Sequence, residues 1–340
     1  MTFKPRVTMR RALLLAPVVF AASLAVAAAP AQAQAASGAV QPLTTETNTV
    51  IDVHQGTNGV GPLWYRVGHA GGGGVAWNDS HQYDQGLNPA VAMNTAGTVV
   101  EVHQAGSGTG ALWYRTGNIT GGTIAWNGSH LYDQGTNPSV GMTPAGTVVE
   151  VHQAGDGVGA LWYRTGTVTG TTISWNASHQ YEVGINPSVA VTSAGTVVDA
   201  HQAGVTTGPL WYRAGVISGS TITWSGSHQY DSGTNPSLAI SSDGLVVDVH
   251  QADLIAGPLW YRMGVLSGTT IAWNGSHQYD NFGLHPAVSV TRSGTAVDLH
   301  QGGSGAGPLW YRAGDFTSNS VLWHDSHQYD NQGANPAGGA

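Results

Sequence analysis

Residues 137–185 read "NPSVGMTPAGTVVEVHQAGDGVGALWYRTGTVTGTTISWNASHQYEVGI", and Gly-rich turns divide them into four runs, "PSVGM", "TVVEVHQ", "ALWYRTG" and "TTISWNASHQY". Apolar and polar residues alternate, β-branched and aromatic side chains are frequent, and no helical period is present, so each run predicts a β-strand. The pattern recurs along the chain. The His of "HQ" falls at 54, 103, 152, 201, 250 and 300, four spacings of 49 residues and then one of 50. The extra residue lies in "YDNFGLHP", where an earlier copy reads "YDQGTNP". Self-similarity at such a period marks units that bury their apolar faces only against one another.

Four antiparallel strands in 49 residues is the size of a propeller blade. Two trefoils would need a boundary between the third and fourth copies, yet the step from His152 to His201 contains no linker. The sequence therefore predicts an all-β fold, a six-bladed β-propeller with four antiparallel strands per blade. It would occupy residues 36–340 as one domain, with copies at 38–87, 88–136, 137–185, 186–234, 235–284 and 285–334. "AVQPLTTETNTVIDVHQ" reads as a degraded first copy that supplies the inner strand of blade one. The C-terminal "NPAGGA" begins a seventh copy, and whether it latches the ring stays open.

The first 35 residues read as a secretory signal: the basic "KPRVTMRR", the apolar "ALLLAPVVFAASLAVAAAP", and small-residue cleavage sites after Ala33 or Ala35. Arg10-Arg11 leaves a twin-arginine route open, and an uncleaved anchor is the alternative. No later stretch approaches a membrane-spanning length. The expected location is extracellular. Of 11 basic residues, Lys4, Arg6, Arg10 and Arg11 leave with the signal, so seven face all 19 acidic ones, a net charge of −12. Such a surface repels phosphate backbones and argues against nucleic acid as a partner. The chain has no Cys, so neither disulfides nor thiolate-bound zinc hold it.

An acid two residues before each His shares a strand face with it. If the hairpin after it is symmetric about Gly108, Glu101 stands across from Arg115, and His103 from Trp113. Opposite charges so placed attract by roughly 0.2–1 kcal/mol, and the sequence predicts an ion pair within each blade. The same residues also offer an aromatic face and polar groups suited to a sugar. The candidate carbohydrate-binding sets are Asp52, His54, Trp64 and Arg66; Glu101, His103, Trp113 and Arg115; Glu150, His152, Trp162 and Arg164. They continue as Asp199, His201, Trp211 and Arg213; Asp248, His250, Trp260 and Arg262; Asp298, His300, Trp310 and Arg312. Secondary candidates come from "SHQYDxGxNP": Tyr83, Asp84, Tyr132, Asp133, Tyr230, Asp231, Tyr279 and Asp280. In that motif the preceding Trp126 is expected to pack between blades, and Asn137 to stabilise a turn or meet a ligand.

Metal ligands must converge on one point, whereas these His are spread around a ring, so neither metal nor cofactor is expected. The unrepeated acids Glu46, Asp79, Asp156, Asp243, Asp253, Asp315 and Asp325 form no cluster, and no G-x-S-x-G motif occurs. No catalytic residue is therefore assigned, and the expectation is a non-enzymatic, multivalent binder of weak sites.

The order "PSV … GxVVEVHQ … LWYR … WNxS … GxNP" resembles bacterial and fungal β-propeller lectins, across residues 40–334 in layout. The likeness to the six-bladed fucose-binding members implies sugars between blades against Arg, an acid and an aromatic residue. Carried over, that implicates Arg115, Glu101, Trp113 and their equivalents, with glycans or glycoconjugates as partners. "VHQ" and "SHQYD" do not match those lectins. The alternatives are a secreted scaffold that binds protein or cell-wall polymer, and a glycoside hydrolase.

Overall fold

The computed structural model describes residues 48–340, which form 23 β-strands and, among the described residues, no helix. The predicted signal and residues up to 47 lie outside the described residues. In the third copy the second strand is Thr147–Gln153, the third is Gly159–Thr169, and the outer one is Thr172–Trp175 continued by the start of His179–Val191. The inner strand is the second half of His130–Met142, antiparallel to Thr147–Gln153. Each long strand thus begins outermost in one sheet and ends innermost in the next. Gly135 still pairs with Gly110, and Thr136 already pairs with Gln153.

The 23 strands fit about six blades of four in a propeller-like, all-β fold. Successive inner strands touch from His81–Met93 through His327–Gly339, and the last touches the first, so the copies close on themselves. Closure is made by the C-terminal segment. Ile51 pairs with Gly339, Asp52 with Gly338, Val53 with Ala337 and Gln55 with Ala334. This corrects the expectation that residues 39–48 supply the first inner strand. That edge of Thr49–Gln55 is taken by "NPAGGA", which enters it through Asn335 and Pro336 as the other copies do.

The core lies between copies more than within them. The second strands are buried almost throughout. One apolar cluster joins Val102, Leu112 and Tyr114 of the second copy to Val140, Val148 and Ile173 of the third. A lone sheet would leave both faces wet, and each neighbour removes one face from water. Deleting residues 336–340 strips the inner strand from the first copy and opens the ring. The expected result is a lower thermal midpoint and the loss of a single cooperative transition in calorimetry. An unchanged melt would show that C-terminal closure contributes nothing to stability.

Candidate functional site

Each acid-x-His pair puts a carboxylate and an imidazole on one face of a fully buried strand. The acids Asp52, Glu101, Glu150, Asp199, Asp248 and Asp298 are all 0% exposed, and their His partners only 1–2%. An ionised carboxylate in that position costs several kcal/mol unless it is paired and hydrogen-bonded, by roughly the desolvation of one ion. The pairing is local and inter-copy at once. Glu101 accepts from His103 Nδ1 at 3.1 Å and from the Tyr83 hydroxyl of the preceding copy at 2.9 Å. Tyr132 reaches Glu150 (2.9 Å), Tyr230 reaches Asp248 (2.8 Å), Tyr279 reaches Asp298 (2.8 Å), and Tyr329 reaches Asp52 (3.0 Å). The fourth copy departs from this. His201 holds Asp199 at 2.8 Å, and the Tyr181 hydroxyl sits beside Asp199 in looser geometry than its counterparts, its phenol pushed well up by burial and by that carboxylate.

This geometry corrects twelve of the candidates. Asp52, His54, Glu101, His103, Glu150, His152, Asp199, His201, Asp248, His250, Asp298 and His300 are interior groups with interior partners and offer no face to a sugar. The hairpin register itself is as the symmetry about Gly108 predicts: Glu101 pairs with Arg115 and His103 with Trp113. The expected intrablade ion pair nevertheless does not form, because the preceding copy packs its Tyr-Asp against that face. Tyr83 takes the carboxylate and Asp84 takes the guanidinium.

Each of the six repeated Arg therefore reaches across a junction. Arg66 meets Asp330 at 2.9 Å, Arg115 meets Asp84 at 2.5 Å, and Arg312 meets Asp280 at 2.7 Å. The contacts Arg164–Asp133 (3.4 Å), Arg213–Glu182 (3.5 Å) and Arg262–Asp231 (3.6 Å) are looser. Both groups of the Arg115–Asp84 pair keep about a fifth of their surface in water (20% and 19%). Trp64, Trp113, Trp162, Trp211, Trp260 and Trp310 are half-buried beside these pairs, on the same strand face as the Arg two residues on. The outer-strand Trp do pack between copies: Trp126 stacks on Tyr83 with centroids 5.0 Å apart, and Trp175 on Tyr132 at 5.1 Å. Four junction residues escaped the sequence reading, namely Tyr181, Glu182, Tyr329 and Asp330. Their signal was the repeat itself, in "YEVG" and "YDNQ".

"DxGxNP" serves the next copy too. A Cβ at Gly135 would lie 2.5 Å from Gln153 O and 2.6 Å from His152, so only Gly lets the backbone pass there. Asn137 adopts a φ of 48°, a left-handed conformation that Asn tolerates best among side-chain-bearing residues. Its amide donates to Gln153 Oε1 (2.7 Å) and to Asn186 Oδ1 (2.9 Å). The same link runs from Asn335 to Asn88 (2.9 Å), Asn88 to Asn137 (2.7 Å) and Asn186 to Asn235 (2.7 Å), an arc of amides around the axis. The sequence had left Asn137 between a turn role and a ligand contact and missed the arc, since residues 49 apart have no visible reason to meet.

Burial opposes charge on His103 and His152, but Glu101, Glu150 and the nearby Asp84 and Asp133 outweigh it and raise both imidazoles above their ordinary value. Burial likewise opposes charge on Asp84, Asp280 and Asp330. Hydrogen bonds from Arg115, Arg312 and Arg66, with the neighbouring His, hold all three below the usual carboxylate value. Burial beside carboxylates pushes Tyr83, Tyr132, Tyr230, Tyr279 and Tyr329 well up, which keeps these phenols as donors.

No family model matches the chain, and no curated protein matches it. Solved structures do share its fold. A provisionally named 6-phosphogluconolactonase from Bacteroides fragilis superposes with a TM-score of 0.54 at 10% identity, over 86% of this chain and 85% of that one. A second so named, from Bacteroides uniformis, gives 0.51 at 11% identity over 84% and 98%. A functionally unknown protein from Desulfotomaculum acetoxidans gives 0.51 at 11% identity over 83% and 80%. These likenesses define a β-propeller-like fold. They also overturn the expectation of a non-enzyme, because proteins named as enzymes stand among those sharing the fold.

The junction charges set a pH window. His103 and His152 hold protons more tightly folded than unfolded, so their stabilisation is full below 6.5 and is lost as pH rises through the raised folded values. The lowered Asp84, Asp280 and Asp330 stabilise fully above 3.8 and lose this as pH falls through their folded values. Asp248, raised by burial, opposes those three, its contribution being lost as pH rises, and His285, lowered by burial, opposes the two raised His, its contribution being full above 6.5 and lost as pH falls. Urea midpoints should therefore peak between pH 3.8 and 6.5 and fall on both sides. A midpoint that keeps rising above pH 6.5 would contradict this.

Proposed function

We propose that this chain is a secreted six-bladed propeller that binds carbohydrate at sites repeated at the junctions between successive copies. The observation that carries the reading is the junction itself. In every copy a half-buried Trp stands beside an Arg that crosses to the preceding copy's acid. A partly exposed indole offers a flat apolar surface to sugar C–H groups. A guanidinium and a carboxylate already held against each other offer donors and acceptors to adjacent hydroxyls. The acid in this role is Asp84 of the preceding copy, not Glu101, which is buried. The resemblance to propeller lectins, with Arg, acid and aromatic between blades, supports the same location.

Shallow sites of this kind bury few ligand atoms, so each binds a free monosaccharide weakly, and multivalent presentation multiplies the affinity. The test compares free sugars by calorimetry with immobilised glycans by surface binding, after a broad array has selected the glycan. Trp113→Ala with Trp162→Ala should lower avidity for the immobilised glycan by about 10-fold or more while the melting curve stays put. Binding of no glycan on the array, or unchanged avidity in the double variant, would refute the junction sites.

A further inference from the structure

The amide arc around the axis is broken at one place. Five copies put Asn at the head of the inner strand, and one puts His285 there, at the same left-handed φ of 47°. Elsewhere each Asn passes a hydrogen bond to the next, but Asn235 has no Asn to donate to, and its amide reaches only Gln251 Oε1 (2.7 Å). Among the described residues nothing donates to Asn335 Oδ1, whose own amide reaches Gln55 (2.8 Å) and Asn88 (2.9 Å). The break therefore presents a spare amide hydrogen, a spare amide oxygen and an imidazole that no group among the described residues engages.

These groups line cavities. His285, Asn235 and Asn335 border an axial cavity of about 210 Å³, floored by the Pro that follows each of them. His285 and Asn335 also border a second cavity, of about 320 Å³, with Leu254 on one side and Asn58, Gln301 and Ser304 on the other. The hairpin-loop position occupied by Leu254 holds Asn58, Ser107, Asp156, Val205 and Ser304 in the other copies, so the longest apolar side chain at this position borders the break. Neither cavity is lined by Lys, Arg, Asp or Glu among the described residues.

We propose that the break at His285 is a binding site distinct from the junctions, taking one uncharged sugar or cyclic polyol per chain. Hydroxyls both donate and accept, so neighbouring hydroxyls of one polyol can satisfy Asn335 Oδ1 and the spare Asn235 amide. An ionised carboxylate could not donate to the amide oxygen, and an ammonium could not accept from the amide. Burial lowers the pKa of His285, so at neutral pH its ring is uncharged and suits a second hydroxyl. The aliphatic Leu254 gives the C–H face of a sugar ring a surface, while Asn58 and Ser304 meet its other hydroxyls.

The variant His285→Asn separates this site from the junctions. It restores the residue of the other five copies, tolerates the left-handed backbone, and closes the arc by engaging both spare groups itself. The experiment titrates D-glucose, D-galactose, L-fucose and myo-inositol into the full chain. Calorimetry gives stoichiometry, and the His285 ring resonances, assigned by the same variant, give location. The expected result is one equivalent bound with a shift of those resonances, affinity reduced by about tenfold or more in His285→Asn, and no change in Trp113→Ala. Failure of all four probes to move the His285 resonances, or equal binding by His285→Asn, overturns the axial site. Binding lost in the Trp variants and retained in full by His285→Asn would leave the junction reading intact while the axial one fails.

Discussion

A carboxylate with no access to water sits in the second strand of every copy, and the rest of the fold is arranged around its needs. Glu101 is acceptable in the interior only because His103 donates from its own strand and Tyr83 from the copy before. Neither copy can supply both donors. The acid therefore ties the stability of each sheet to its neighbour, in the same way that the shared apolar clusters do. The requirement holds at the seam as well. Tyr329 reaches Asp52 across 277 residues of chain, Arg66 reaches Asp330, and the final residues complete the first sheet.

Much of this was legible in the sequence. The 49-residue period, four strand-like runs and the linkerless step between copies led to an all-β propeller, and the palindromic spacing about Gly108 gave the hairpin register residue by residue. What was not legible follows from one physical fact: pairing across a ladder constrains position, while partner choice depends on what the adjacent sheet delivers. Glu101 and Arg115 do stand opposite each other, yet the intruding Tyr83 and Asp84 outcompete that direct contact because together they satisfy both charges. The inner strand of the first copy failed for a related reason. The degraded first copy resembles the other inner strands enough to be assigned that edge, and only the pairing shows that the C-terminal half copy takes it.

The same logic sorts the recurring side chains by what they leave available. The acid, His and Gln of each copy are consumed by the fold. The Trp and the Arg–acid pair remain partly in water at six junctions, which suits repetition of a weak contact. The axis is different, since a ring has only one. A departure from symmetry there, such as His285 among five Asn, acts once per molecule, and that is where a single selective site is most economically built.

The central claim is that the buried acid is a staple between copies, and a double-mutant cycle on Tyr83 and Glu101 tests it most directly. Tyr83→Phe, Glu101→Gln and the double variant would be unfolded in urea alongside the parent chain. The account predicts a coupling energy of about 1–3 kcal/mol between the two positions, 18 residues apart and in different copies. Effects that add to within about 0.5 kcal/mol would contradict it, and would mean that the acid is held by its own strand alone.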